Sequence, residues 1–295
     1  MIQECNDVCQ ILYTGDFQTL NVSLESLGLP SNVLVWQVIL MTTVSLGVGF
    51  LGGLIGLALG TMRLPVLLLL GVPVPVAAGT NIMVSTLSAL TGAVRHYRDG
   101  RVDFHIVIIM GAPACIGALI GGLSSRVIPE NALIMLVGLL VFWQGIELLA
   151  RVREKQPKQA DGRPIPRRNF NAGRGRVVVS SGTAFGVGIL AGGVGLILGT
   201  LRLPIMIRIL GTNPRVAAGS NLFIGFIMGS MGWVGHLVNG QVDAPLLIML
   251  AVSGMVGSYF GARLTGQIPL QKLLFVMGAV LLLSGIALIG KVAVS

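Results

Sequence analysis

The chain has 295 residues, of which 54% are hydrophobic and only 11% are charged. Soluble domains carry about 25% charged residues, so this composition excludes an ordinary water-soluble protein and predicts a membrane protein. The net charge of +9 does not indicate nucleic-acid binding, because the basic residues lie between apolar runs, where they report membrane topology. The three cysteines form no zinc pattern or disulfide framework, and we expect no metal and no cofactor.

The N-terminal part of the chain predicts a polar tail and then a helical hairpin. Residues 1–33 contain acidic residues but no Lys or Arg and no signal-peptide core, so we expect an extracytoplasmic tail. Residues 34–70 are apolar except near Arg63. One helix of that length would measure about 55 Å, against about 30 Å for the hydrocarbon core. We therefore expect two shortened helices, with Gly60 ending the first and Pro65 in the first turn of the second.

The rest of the chain predicts six ordinary spans, a linker and a second hairpin. Spans are expected at 75–94, 104–124 and 129–150, followed by a linker at 151–176 with nine Lys and Arg and two acidic residues. The second half has an interrupted segment at 177–210 and spans at 214–235, 244–264 and 269–289. The chain therefore divides into a first transmembrane repeat at 34–150, the basic linker, and a second transmembrane repeat at 177–295.

The two halves share sequence, which is typical of duplicated transporter folds. The matched stretches are Gly60-Thr61-Met62-Arg63-Leu64-Pro65 with Gly199-Thr200-Leu201-Arg202-Leu203-Pro204, and Gly79-Thr80-Asn81 with Gly219-Ser220-Asn221. Further along, the matched residues are His96, Gly100 and Asp103 with His236, Gly240 and Asp243. The predicted fold is an all-α polytopic membrane protein of two inverted-topology repeats, each an interrupted helical hairpin plus three transmembrane helices.

The distribution of positive charge predicts that the second repeat is inverted relative to the first. Cytoplasmic loops carry the excess of Lys and Arg, so the linker should be inside and both termini outside. An odd number of crossings then separates the tail from the linker. This arrangement puts sixteen Lys and Arg residues inside and two outside. A parallel repeat would put the arginine-rich loop at 95–103 on the same side as its uncharged counterpart at 236–243.

Arg63 and Arg202 are the remaining two of the twenty basic residues, and both lie deep in apolar sequence. We expect the hairpin tips to meet near the membrane midplane, with both guanidinium groups facing one central site. A membrane-buried Arg costs about 2.5–3.5 kcal/mol, and neither interrupted segment contains an acidic residue. A bound anion would offset this cost. The alternative is that both arginines snorkel to an interface or bond to helix C-terminal carbonyls.

Neutral polar residues of the matched stretches complete the predicted substrate site, since they could add hydrogen-bond donors. The full predicted set is Thr61, Arg63, Thr80, Asn81, Thr200, Arg202, Ser220 and Asn221. The alternative for the two asparagines is helix–helix bonding.

Other polar residues of the spans favour structural roles. Asp103 and Asp243 follow a Gly-x-Val stretch and are expected to cap helices. His96 and His236 lie at span ends and are expected to be interfacial and not proton relays. Glu147 and Arg151 are expected to form a surface ion pair, because residues four apart are neighbours on one helix face.

No nucleophile–base pair, metal-ligand cluster or P-loop is visible in the sequence, so we do not expect an enzyme. The order of the motifs resembles the TauE/SafE sulfite exporter family of membrane permeases, over about residues 40–290. The resemblance rests on the interrupted segment ending in Pro65, the turn at Gly71, the stretch ending in Asn81, the loop ending in Asp103, and their counterparts. It implies transport of sulfite, thiosulfate or an organosulfonate in the cytoplasmic membrane of a prokaryote.

The predicted function is secondary transport of a small sulfur-containing anion, with a proton or sodium ion as the coupling partner. Family members commonly have a Gly-Gly-Gly run where this chain has Gly60 to Arg63, which leaves a non-sulfur anion such as a small carboxylate as an alternative. A passive anion channel and a non-transporting sensor are further alternatives. The expected partners are the anion and the lipid bilayer, without nucleic acid.

Overall fold

The computed structural model describes residues 35–55, 60–153, 173–263 and 270–294. Within these ranges the chain consists of α-helices joined by short loops, with one π-helical turn. The predicted tail at 1–33 and most of the predicted linker lie outside the described residues, so both stay predictions.

Ten helices follow one another in the same order in both halves. The first half contains α1 (Val35–Ile55), α2 (Gly60–Leu69), α3 (Val74–Arg98), α4 (Phe104–Ser124) and α5 (Glu130–Arg153). The second half contains α6 (Arg174–Val194), α7 (Gly199–Arg208), α8 (Pro214–Val238), α9 (Ala244–Arg263) and α10 (Leu270–Val294).

Seven of these helices, α3 to α6 and α8 to α10, are long and apolar enough to cross a membrane. The apolar part of α1, Trp36–Gly52, and the short helix α2 are also hydrophobic. Large apolar side chains such as Leu139, Trp143 and Leu283 are exposed on α5 and α10, as expected of a surface that faces lipid. The prediction of an all-α polytopic membrane protein is confirmed.

The first interrupted segment is a hairpin with one long arm and one short arm. Gln37 Nε2 donates to the carbonyl of Leu70 at 3.3 Å, so the end of α2 returns to the start of α1. Gly60 lies directly against Ser85, near the middle of α3. The first described residue of α2 therefore lies about halfway along α3. We expected two shortened helices, but α1 and α6 have 21 residues each and only α2 and α7, with 10 residues each, are short.

The position of the chain break also differs from the prediction. Gly60 belongs to α2 and is its first described residue, Gly199 begins α7, and Pro65 and Pro204 lie inside these helices. In the second half α6 ends at Gly195, which has a φ of 72°, a left-handed conformation that glycine adopts without steric cost. Proline is tolerated this close to a helix N-terminus, because it removes only one intrahelical hydrogen bond there.

Counterpart helices meet in the centre of the molecule and run in opposite directions there. On α3, Gly79 packs against Gln241 just beyond the end of α8, whereas Gly92 packs against Leu222 near its start. The helices α5 and α10 cross in the same antiparallel way, with Gly138 against Ile289 and Gly145 against Leu282.

The long hairpin arms pack on the opposite half. Helix α1 lies along α9, and its counterpart α6 lies along α4. The approach is close: a Cβ added to Gly49 would lie 2.1 Å from the carbonyl oxygen of Gly254. Such contact between backbones is the way helices associate in lipid, where small residues permit tight van der Waals packing.

Candidate functional site

Arg63 and Arg202 are fully enclosed by the protein. Their side chains are 2% and 0% exposed, although each lies only in the first turn of a short helix. Within the described residues neither arginine forms an ion pair. This burial contradicts the snorkelling alternative, because no guanidinium group reaches an interface. The two cations therefore sit in the protein interior without a neutralising carboxylate.

Each arginine is held by the asparagine of the matched stretch in its own half. Arg202 Nε donates to Asn221 Oδ1 at 3.1 Å, and its Nη1 donates to Met228 Sδ at 2.8 Å. Arg63 Nη1 donates to Asn81 Oδ1 at 3.4 Å. The recurrence of the Arg–Asn contact explains why both residue types appear in both halves, 18 residues apart in the first and 19 in the second.

The amide nitrogens of the same asparagines hold the broken backbone. Asn81 Nδ2 donates to the carbonyl of Gly195 at 2.9 Å, which links α3 to the second hairpin. Asn221 Nδ2 donates to the carbonyl of Gly199 at 3.1 Å. Because a Cβ at Gly199 would lie 2.8 Å from Asn221 Nδ2, glycine is needed there for this approach. The asparagines thus both orient a cation and satisfy backbone carbonyls that the helix interruption exposes.

A small cavity lies beside Arg202 and combines residues of both halves. Its polar lining consists of Thr61, Gln144, Thr200, Arg202 and Asn221. Since Thr61 and Thr200 belong to different hairpins, the two tips meet here, as expected. The lining contains no acidic residue. It includes four buried polar atoms without a hydrogen-bond partner, namely Arg202 Nη2, Thr200 Oγ1 and both amide atoms of Gln144.

A second cavity lies beside Arg63, between α1, α2, α3 and α9. Its polar lining consists of Arg63, Ser85, Ser88 and Ser258, and the Arg63 Nε and Ser85 Oγ atoms have no partner. The two guanidinium groups therefore line different cavities, whereas the sequence predicted that they face one site. The halves have diverged here: Gly225 occupies the repeat position of Ser85.

Asn81 lines neither cavity and contacts Arg63 instead, and two further predicted substrate residues also lie away from both cavities. Ser220 Oγ accepts a hydrogen bond from the backbone N–H of Asp103 at 2.9 Å, so it joins α8 to the loop before α4. Thr80 is fully buried but lines neither cavity. Their neighbours Gly79 and Gly219 pack against the backbone of loops in the opposite half. The structure therefore places this pair at contacts between the halves.

The predicted structural roles of three acidic residues are confirmed. Asp103 Oδ1 accepts from the backbone N–H of His105 at 2.9 Å, and Asp243 Oδ1 accepts from that of Leu246 at 2.8 Å. Both aspartates thus cap helix N-termini. Glu147 Oε1 lies 2.5 Å from Arg151 Nη2, which is the expected pair on one helix face.

The prediction that His236 is interfacial is wrong. Its side chain is 0% exposed; its Nε2 donates to the carbonyl of Gly192 at 2.8 Å, and its Nδ1 lies 2.7 Å from Gln241 Oε1. The loop after α8 folds back over the ring, which the position of His236 at a span end did not indicate. His96, its counterpart, is partly exposed at the end of α3.

Gln144 is the residue that sequence reasoning missed. It is 0% exposed and lines the Arg202 cavity. The signal was present in the sequence, since Gln144 is the one polar side chain in the stretch between Asn131 and Glu147. It was overlooked because the second repeat does not share it.

Within the described residues, seven helices are long and apolar enough to span a membrane, and a buried polar cavity lies between the two hairpins. This arrangement is that of a polytopic membrane transporter. The model of the family described as Sulfite exporter TauE/SafE matches residues 41–288, and the chain belongs to this family.

The chain is also similar to curated bacterial proteins over most of its length. It is 25% identical over 264 residues to Probable membrane transporter protein YunE of Bacillus subtilis, which covers 85% of this chain and 97% of YunE. It is 26% identical over 236 residues to Probable membrane transporter protein YdhB of the same organism, covering 79% of this chain and 90% of YdhB. No solved structure gives a significant match.

Proposed function

We propose that this protein is a secondary transporter that carries a small sulfur-containing oxyanion across the cytoplasmic membrane of a prokaryote. The observation that carries this proposal is the Arg202 cavity, where a buried cation and partnerless hydrogen-bond donors line one space without a carboxylate. The name of the matched family supports sulfite or a related anion as the substrate.

Electrostatics favours an anion as the occupant of this space. Buried polar groups normally have hydrogen-bond partners, and a buried charge is costly unless it is paired. Arg202 Nη2, Thr200 Oγ1 and Gln144 Nε2 could each donate to one oxygen of a bound oxyanion. Charge-assisted bonds of this kind are the strong ones, so the anion would offset the cost of burying Arg202.

The small size of the cavities supports a gated transporter over an open channel. Each has a free volume of about 10 Å³, which is room for about one water molecule. An oxyanion would require the hairpin tips or the surrounding helices to move apart. Movement of one repeat against the other, which exposes the site to one side of the membrane at a time, is the basis of alternating access.

We also propose that the two halves are inverted repeats, with residues 34–150 and 177–295 as the units. The antiparallel contacts of α3 with α8 and of α5 with α10 support this arrangement, because counterpart helices of an inverted pair run in opposite directions. The positive-inside rule then puts the linker in the cytoplasm and both termini outside.

Flux measurements in proteoliposomes test the proposed function. The purified full-length chain would be assayed with sulfite, thiosulfate, methanesulfonate and acetate, with and without imposed proton and sodium gradients. We expect saturable flux of at least one sulfur anion that depends on a gradient. Gradient-independent single-channel current would instead favour the channel, and flux of acetate alone would move the substrate class to carboxylates.

Replacement of Arg202 supplies the decisive comparison. Arg202→Ala should lower anion affinity by about tenfold to a hundredfold, the scale of one charge-assisted hydrogen bond. Arg202→Lys should also be impaired, because Lys cannot reproduce the guanidinium geometry that contacts Asn221 and Met228. Arg208→Ala is the matched control, since Arg208 is exposed on the same helix. Wild-type affinity in Arg202→Ala would refute the proposed site.

A further inference from the structure

Gln144 stands out among the polar side chains of the spanning helices. It is completely buried in α5, and neither its amide nitrogen nor its amide oxygen has a partner. A buried amide in that state costs free energy unless a further group binds it. Because the side chain lines the Arg202 cavity, the missing partner would be whatever occupies that cavity.

The repeat counterpart of Gln144 behaves differently. Ser284 occupies the corresponding position on α10, and its hydroxyl donates to the carbonyl of Leu281 at 3.1 Å within its own helix. The second cavity is lined by serine side chains of other helices and contains no amide. The Arg202 cavity thus has a glutamine amide whose repeat position holds a serine in the second half, which makes this cavity chemically distinct from the Arg63 cavity.

We infer that Gln144 is a specificity-determining residue that favours oxyanions carrying their own hydrogen, such as hydrogen sulfite, over anions without a donor, such as alkanesulfonates. This inference rests on the proposed function and names the substrate class of the Arg202 site.

The reason is the balance of donors and acceptors around the cavity. Arg202 Nη2, Thr200 Oγ1 and Gln144 Nε2 are three donors for the three oxygens of a sulfur oxyanion. Gln144 Oε1 is an acceptor, and an anion that carries only oxygens leaves it unpaired. An anion that also carries a hydrogen completes this set. A site built to hydrogen-bond a donor rejects the analogue that lacks it, because the buried acceptor is otherwise desolvated without compensation.

Binding of hydrogen sulfite, the monoprotonated form that dominates in mildly acidic buffer, and of methanesulfonate to the purified full-length chain tests the inference. Both probes present a sulfur atom with three oxygens, but methanesulfonate has a methyl group in place of the hydrogen. Gln144→Met keeps the side-chain length and removes both amide atoms. Ser284→Ala is the matched control at the repeat counterpart. In Gln144→Met we expect the affinity for hydrogen sulfite to fall about tenfold. The affinity for methanesulfonate should stay within about twofold, because loss of the bond from Nε2 is offset by removal of the unpaired acceptor Oε1. Both affinities should be unchanged in Ser284→Ala.

Gln144→Glu provides a second variant of nearly the same shape. Its carboxylate would neutralise Arg202, so we expect it to lose affinity for both anions. Three results would each overturn the inference while leaving the proposed transport intact. Gln144→Met could bind both probes as tightly as the wild type does, or it could lose the same affinity for both probes. The third such result is undiminished anion binding in Gln144→Glu. A wild-type chain that binds neither anion would overturn the proposed substrate class as well.

Discussion

At the scale of single residues, the proposed anion binding rests on two buried arginines and on the amide side chains next to them. The sequence predicted Arg63, Arg202 and their asparagines because each recurs at the same place in both halves. It did not predict Gln144, which occurs once, or the separation of the two guanidinium groups into two cavities. Those features depend on which neighbouring helix each arginine faces, and repetition carries no information about that choice.

Gly195 supplies the residue-scale prediction. Its left-handed φ of 72° disfavours any side chain, and a Cβ there would lie 2.4 Å from the backbone of Ala78. Gly195→Ala should lower the free energy of unfolding by about 2–5 kcal/mol, as the sum of the left-handed penalty and the overpacking cost. Thermal unfolding in detergent measures the change. Gly186→Ala on the same helix is the control, because no atom lies within 4 Å of a Cβ at that position.

If Gly195→Ala and Gly186→Ala had the same midpoint of thermal unfolding, the turn after α6 would relax around the new side chain without a cost in stability. It would also show that the left-handed turn at Gly195 does not fix the position at which α6 ends.

At the scale of elements, the hairpins illustrate what length and composition can predict. An apolar run too long for one span and too short for two implied a hairpin, and the contact between Gln37 and Leu70 confirms that the first one returns to its start. The exact break was not predictable in the second half. Several glycines are available there, and the one that adopts the left-handed turn is Gly195, whose carbonyl is bound by Asn81 from the opposite half.

The loop after α8 supplies the element-scale prediction. His236→Ala removes the donor to the carbonyl of Gly192 and empties buried space, and should lower the free energy of unfolding by about 2–4 kcal/mol. His96→Ala should cost less than about 1 kcal/mol, because that side chain is partly exposed. Comparison of the two detergent melting curves checks the difference. Equal destabilisation would show that the buried ring of His236 does not hold the loop.

At the scale of the whole molecule, the charges of the loops and the packing of the helices point to the same arrangement. Sixteen basic residues on one side and two on the other favour an inverted second half. Antiparallel contacts between counterpart helices support that orientation through an unrelated observation. The charge pattern came from sequence alone, whereas the pairing of α1 with α9 and of α6 with α4 needed the structure.

Cysteine labelling supplies the prediction for the whole molecule. In a background with Cys5, Cys9 and Cys115 replaced by serine, we expect a membrane-impermeant maleimide to label Ser295→Cys on intact cells but not Gln159→Cys in the linker. Permeabilised cells, in which both should react, are the control for accessibility. Labelling of Gln159→Cys from outside, with Ser295→Cys protected, would reverse the proposed orientation.

The packing of α1 on α9 has a consequence for how the protein is made. Ser45 Oγ donates to the carbonyl of Leu250 at 2.7 Å, across 205 residues of sequence. At about 5–20 residues per second, a ribosome needs roughly 10–40 s to make that stretch. During this interval the face of α1 that carries Gly49 meets lipid or the insertion machinery instead of its partner. A transcript cut within the linker therefore encodes a first hairpin whose packing partner, α9, is never made.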